Sequence, residues 1–209
     1  MRIVTFNIQH GRTPSGRVDV GLAARVCAGF DADLLALQEV DVGRPRSRLA
    51  HTVRRVSRAT GLHGVFGPAI WGYGNALFSR WPLEDVAVER LPRHGKHERR
   101  IALMARTGGI SVAVTHLSID TAEAREQLGQ VVALLRKRPE PRLLLGDLNL
   151  RIHRGAPTFP ADNPRIRIDH IAVEGAGLEV SAQDVLPAQP VSDHRPLLVE
   201  LSPGRTPRP

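Results

Sequence analysis

Residues 74–117 read GNALFSRWPLEDVAVERLPRHGKHERRIALMARTGGISVAVTHL, and how this stretch divides decides the fold. Four short apolar runs, 74–80, 83–91, 100–107 and 110–117, are set apart by proline, glycine or charge, the pattern of consecutive strands. Upstream, 2–8 alternates like a half-buried strand and 18–30 has helical spacing. A short apolar strand, 31–40, ends in an acid, and 49–61 reads as a helix closed by Gly61. Downstream, TAEAREQLGQVVALLRKR (121–138) is the clearest helix, with Ala124, Leu128, Val131 and Leu135 on one face, Thr121 as the expected cap and Pro139 as the stop. Four more strands follow at 141–149, 167–173, 177–185 and 195–201. Strands outnumber helices and come in consecutive runs. The expected class is therefore α+β, a sandwich of mostly antiparallel sheets with outer helices, rather than a doubly wound parallel sheet.

With 209 residues and 42% hydrophobic content, the chain can bury one substantial core, and a single domain over 1–202 is expected. The end of the chain, 203–209, has no apolar residue to bury and is expected to be disordered. The lone Cys27 excludes an internal disulfide and a cysteine metal cluster. MRIVTFNIQHG turns polar too soon for a signal peptide, and no apolar run approaches a membrane span, so a soluble, cytoplasmic protein is expected. The net charge of +8 comes from 29 cationic residues, of which only Lys96 and Lys137 are lysines. Such a balance suits a polyanionic partner, nucleic acid or phosphorylated lipid, although arginines scattered through 44–58 and 90–100 fit a solvated face as well. Eight aromatic residues are few for a protein that grips single strands by stacking. No protein partner is read from the chain.

Residues of chemical interest fall at strand ends. Asn7 closes the first strand, Glu39 closes LLALQE, His116 closes VAVTH, and Asp147 and Asn149 close LLLGDLN. Asp169 lies in RIDHI, and Asp193 with His194 precedes the last strand in SDHRP. Singly, each has a structural explanation: Asn7 as a turn former, Asp169 as the partner of an arginine, SDH as a solvated loop. Together, strand ends carry them to the rim of a sandwich, where polar groups converge without being buried in the core. Asp147 and Asn149, two apart on an extended backbone, point to one side.

Eight segments in order, TFNIQHG, LALQEVD, YGNALFSR, ERRIAL, THLS with AREQ, GDLN, TFPADNPRIRIDHI and SDHRPL, resemble the endonuclease/exonuclease/phosphatase superfamily. This is the DNase I-like fold of metal-dependent phosphodiesterases and phosphatases. The resemblance implies a four-layered sandwich, two sheets face to face and flanked by helices, with the active site at one rim. It also implies a division of labour. Glu39, assisted by Asn7 and Asp193, would hold Mg²⁺, with Mn²⁺ as a substitute. Asp147 would be the base or water-orienting carboxylate, and Asn149 would hold the phosphate or the attacking water. His194, oriented by Asp169, would be a cationic phosphate clamp or proton donor, with His116 as a second clamp. Asn75 and Arg100 match positions near the substrate phosphate.

The chemistry explains these residue types. A phosphodiester repels hydroxide, so its hydrolysis needs a metal to neutralise charge, a base to ready water and a clamp for the developing negative charge. Mg²⁺ takes one or two carboxylates plus water and phosphate. The remaining histidines, His10, His51, His63, His94, His97, His153 and His170, lack metal-ligand spacing and read as surface or structural. Tyr73 reads as a packed rim residue, and Arg125 and Gln127 as structural. No GxSxG elbow, GxxxxGK loop or cysteine–histidine pair is present. A catalytically silent binding module would need a broken metal or base position, and none is broken. Only LRIHRGAP separates GDLN from TFPA, so one wall of the groove is expected to be short. An open, basic groove points first to a nuclease acting on DNA or RNA. The alternative is a phospholipid or inositol-phosphate phosphodiesterase or phosphatase.

Overall fold

The runs that alternate or are wholly apolar become strands, and those with helical spacing pack as helices outside them. In the computed structural model, which describes residues 1–151 and 155–203, the order begins β1 (Arg2–Asn7), α1 (Val20–Ala28), β2 (Leu34–Asp41), α2 (Thr52–Thr60), β3 (His63–Ile70) and β4 (Tyr73–Ser79). It continues β5 (Glu84–Arg90), β6 (Ile101–Thr107), β7 (Ile110–His116), α3 (Thr121–Arg136), β8 (Arg142–Asp147), β9 (Asp169–Glu174), β10 (Leu178–Val185) and β11 (Leu197–Pro203). A six-stranded sheet has the order β10-β11-β1-β2-β4-β3, and a five-stranded sheet the order β5-β6-β7-β8-β9.

Three apolar clusters give four layers. Ile3, Leu34 and Leu77 of the first sheet meet Ile101, Leu103, Val112, Val114, Leu143 and Leu145 of the second, forming the central core. The opposite face of the first sheet, with Phe6, Leu35 and Phe78, is covered by Ala23, Ala24 and Cys27 of α1 and Val53 and Val56 of α2. The outer face of the second sheet, with Met104, Ala113 and Leu144, is covered by Ala124, Val131 and Leu135 of α3. Each fully buried aliphatic side chain contributes about 1.5–3 kcal/mol, so the runs legible as apolar stripes also hold the layers together. This is the expected α+β sandwich.

Most strand pairs are antiparallel, but each sheet has one parallel pair at its heart: β1 with β2, joined through α1, and β7 with β8, joined through α3. Parallel neighbours end at the same edge. The C-terminal ends of four strands, two from each sheet, therefore supply one rim of the sandwich.

Local details depart from the sequence reading in two places. The cap of α3 is Asp120, whose Oδ1 accepts from Glu123 N at 2.9 Å, rather than Thr121, because the chain turns into the helix one residue sooner. β3 was not expected at all. It contains Gly64, Gly67 and Pro68 and lies at the sheet edge, where proline's missing N–H is tolerated. A Cβ at Gly67 would stand 2.9 Å from Leu103 Cβ, so the glycine permits the two sheets to approach. The expectations for the tail at 204–209, for His153 and for part of the short segment between GDLN and TFPA (152–154) lie outside the described residues. No helix among the described residues is long and apolar enough to cross a membrane.

Candidate active site

Asn7 is the last residue of β1, and Glu39 comes from the parallel neighbour β2. At Glu39 the pairing of β2 with β4 shifts register between Leu37 and Val40, and its φ is +56°, a left-handed conformation that costs a non-glycine residue about 1–3 kcal/mol. The bulge turns Glu39 out of strict alternation. From the second sheet come His116 and Asp147, opposite one another at the ends of β7 and β8, with Asp169 opposite Asp147 at the start of β9. The approach of β7 to β8 depends on Gly146 (φ +147°), where a Cβ would lie 1.9 Å from Thr115 O. The SDHRP loop is tied down on both sides. Ser192 Oγ donates to Asn7 O, Ala161 N to Asp193 O and Arg195 N to Thr158 O, so the TFPA segment braces it.

These elements bring the expected residues together. Asn7 Nδ2 donates to Glu39 Oε1 at 3.3 Å and to Asp147 Oδ2 at 3.1 Å, linking the two sheets. The same Asp147 oxygen is 3.4 Å from His116 Nε2 and 3.7 Å from His194 Nε2. Its other oxygen accepts from Asn149 N at 3.0 Å, while Asn149 Nδ2 donates to Leu117 O. His194 Nδ1 is 2.9 Å from Asp169 Oδ2, and its ring rests against Phe159, with centroids 4.9 Å apart. Arg100 is buried; one guanidinium nitrogen meets Glu98 at 2.9 Å and its Nε has no hydrogen-bond partner. Asn75 is buried in β4, whereas the cleft wall from that hairpin is formed by Ile70 and Tyr73.

The electrostatics separate the acids. Burial raises the Glu39 pKa, but His10, His116 and Asn7 outweigh it and hold the carboxyl down at about 2. His116 is itself kept well below the usual histidine range by burial and by the Arg100 charge. Near neutrality, therefore, Glu39 is ionised, and His116, with its lowered pKa, is a neutral hydrogen-bonding ring where a second cationic clamp was expected. Asp147 is pushed well above the carboxylate range, first by burial and then by the Asp169 charge. His194 loses from burial, yet the Asp169 carboxylate, with Asp147 and Asp193, lifts it to about 9. Asp193 is raised by burial, and the nearby Glu39 charge adds to that against His194.

Asp147, Asp169 and His194 offer ligand atoms within 4.8 Å of one another, but this group is poorly suited to an ion. Asp169 is engaged with the His194 imidazole, whose pKa is lifted to about 9. Glu39 fits better: it is ionised, its side chain is 23% exposed, and Asp193 stands close enough to feel its charge. These two carboxylates are hard-oxygen donors suited to a small divalent cation, while Asn7 turns its Nδ2 toward Glu39 and its Oδ1 accepts from Gln9 N at 3.0 Å.

Two residues at the site escaped the sequence reading. Gln9 Nε2 donates to Asp193 Oδ2 at 3.0 Å, and His10 Nδ1 faces Glu39 Oε2 at 3.6 Å, long for a hydrogen bond. Both have positive φ (+42° and +48°) in a turn that no periodicity announces. Their one signal is adjacency to Asn7. All these groups stand in or beside a cleft of about 1210 Å³, whose walls also carry Arg44, Arg46, Arg125 and Arg151.

Comparison with known proteins identifies relatives in sequence and in fold. A family model described as the endonuclease/exonuclease/phosphatase family matches residues 4–194. The uncharacterized protein YbhP of Escherichia coli K12 is 31% identical over 246 aligned residues, covering 96% of this chain and 95% of that protein. Among solved structures, an endonuclease/exonuclease/phosphatase from Beutenbergia cavernae DSM 12333 superposes with a TM-score of 0.79 at 22% identity, covering 98% of this chain and 72% of that one. The mannosyl-6-phosphatase Bt3783 of Bacteroides thetaiotaomicron VPI-5482 gives 0.73 at 17% identity, with 97% and 99% covered. At such identities the two structures speak for the fold.

Proposed function

The chain belongs to the endonuclease/exonuclease/phosphatase family, and from that premise we propose that it is a divalent-metal-dependent hydrolase of phosphodiester bonds. The observation that carries this reading is the convergence on Asp147 of Asn7, His116 and His194, with an ionised Glu39 alongside. Glu39 and Asp193, with the Asn7 amide, would hold Mg²⁺, for which Mn²⁺ could substitute. The bound ion would neutralise phosphate charge and polarise the phosphoryl oxygen.

The chain's own groups do the rest. Asp147, with its raised pKa, is a base poised to take a proton from water near neutral pH. Asn149, fixed through Asp147 Oδ1 and Leu117 O, holds the attacking water or the phosphate. His194, kept protonated by Asp169, clamps a phosphate oxygen or donates a proton to the leaving oxygen. His116 adds a neutral hydrogen bond. Arg100, which lines the cleft and shares its charge with Glu98, would be a further phosphate contact, and Asn75 lies buried in β4.

The arginines on the cleft walls suit a polyanionic diester, and nucleic acid and a lipid headgroup diester are the two substrates to test, the second because apolar side chains also line the cleft. The test of the shared chemistry is hydrolysis of bis(4-nitrophenyl) phosphate with Mg²⁺ or Mn²⁺, and its loss on adding EDTA. Turnover that persists at full rate in EDTA, or no turnover of any diester with either ion, overturns the proposal.

A further inference from the structure

Six large hydrophobic side chains are exposed among the described residues, and the three most exposed lie on loops beside the catalytic cleft. Trp71 (71% exposed) follows Ile70 at the tip of the β3–β4 hairpin, Leu49 (68%) precedes α2, and Ile119 (81%) lies between β7 and α3. Arg44 joins the first two. Its guanidinium carbon is 5.8 Å from the centre of the Trp71 ring, its Nη1 donates to Trp71 O, and its carbonyl accepts from Leu49 N. Arg44, Ile70 and Ile119 line the catalytic cleft, so Ile119 stands on its wall, and Trp71 and Leu49, next to Ile70 and bonded to Arg44, stand just outside it.

Single exposed apolar residues need no explanation, but a concentration around the mouth of a polar site does. The same mouth carries Arg125 and Arg151, both exposed. Neither has a carboxylate partner among the described residues. Apolar tips set among free cations, on a chain of net charge +8, match an anionic lipid interface: aliphatic and indole groups enter it while guanidinium groups meet phosphate. A nucleic acid uses this mouth less well. Leu49 and Ile119 have no ring on which a base can stack, Arg46 is held in a two-pronged pair by Asp41, and Arg100 is held by Glu98.

We propose that the mouth of the cleft docks on an anionic phospholipid bilayer through Leu49, Trp71 and Ile119, presenting a lipid headgroup phosphodiester to the site. The proposal rests on the phosphodiesterase reading and gives it a substrate class. The tips would enter the headgroup region by about 5–10 Å.

The test uses the full chain with a Trp81→Phe change, which leaves Trp71 as the single indole of the chain's two tryptophans. With vesicles of phosphatidylcholine and phosphatidylglycerol, Trp71 emission should shift to the blue and be quenched by brominated acyl chains; pure phosphatidylcholine should have a much smaller effect. Co-sedimentation of the wild-type chain gives the same answer without relying on the Trp81 variant. Affinity should fall roughly tenfold for each of Leu49→Ser, Trp71→Ser and Ile119→Ser, and about fivefold for Arg151→Gln. Hydrolysis of soluble bis(4-nitrophenyl) phosphate should be unchanged in Leu49→Ser and Trp71→Ser. The proposal is overturned by an absence of binding to anionic vesicles, or by a triple variant that binds as tightly as wild type. It is also overturned if Trp71 is quenched by salt-sensitive DNA binding while vesicles have no effect. Diester hydrolysis without vesicle binding removes the docking alone. Vesicle binding without any metal-dependent hydrolysis removes the parent reading and leaves the docking.

Discussion

Replacing Asp169 with asparagine keeps the shape of the group against His194 and removes its charge. His194 rises from an ordinary 6.5 to about 9 in the folded chain, although burial alone would lower it. Each unit corresponds to about 1.4 kcal/mol, and the ring is only 7% exposed, so the net shift, to which Asp169 contributes most and Asp147 and Asp193 add, is worth on the order of 3 kcal/mol. The sign follows from the raised value. The contribution is fully present below the unfolded pKa of 6.5 and disappears as pH rises through about 9. Urea unfolding in EDTA should therefore show Asp169→Asn to be less stable than wild type by about 2–3 kcal/mol at pH 6. By pH 10 the difference should vanish or reverse, because asparagine also relieves the repulsion between Asp169 and Asp147. In turnover, Asp169→Asn and His194→Ala should not be additive, since an orienting group matters only while its ring is present. A stability loss equal at pH 6 and pH 10, or a double variant with the product of both rate defects, refutes the pairing as the source of the charge on His194.

Three other changes probe separate parts of the structure. Glu39→Gln should raise the Mg²⁺ concentration needed for half-maximal diester hydrolysis by at least about tenfold, and wild-type rates at limiting Mg²⁺ would contradict its place as a ligand. Gly146→Ala places a Cβ 1.9 Å from Thr115 O and should cost roughly 3 kcal/mol by separating β7 from β8; an unchanged melting temperature would show that the strands move freely there. Arg46→Ala leaves the fully buried Asp41 without its two 2.8 Å hydrogen bonds and should destabilise the fold by about 3 kcal/mol, with partial recovery in Arg46→Lys. If denaturation is unaltered and only polyanion binding weakens, Arg46 belongs to a solvated basic face.

The sandwich was legible because its strands are apolar on faces that must be covered, and a buried run such as ISVAVTH carries that requirement in its composition. β3 was hidden for the converse reason: as an edge strand half open to water, it can hold two glycines and a proline that would disqualify an inner strand. The parallel pairs were hidden too. Which strand lies beside which is a long-range choice, and nothing local in β1 or β7 marks the neighbour that α1 or α3 will bring back. Yet those pairings explain why residues chosen by type at strand ends lie near one another. A polar side chain closing an apolar strand has to emerge at an end of the sandwich, and parallel pairing in both sheets makes Asn7, His116 and Asp147 emerge at the same end. Glu39 was named from its place at the end of LLALQE, but the backbone that aims it was not legible. Strict alternation beside Gln38 would have sent it elsewhere, and only the bulge, with φ at +56°, aims its carboxylate at Asn7. A strained backbone at the residue assigned to the metal, held by antiparallel pairing to β4 on either side, is where this fold accepts a local cost for the position of one charge.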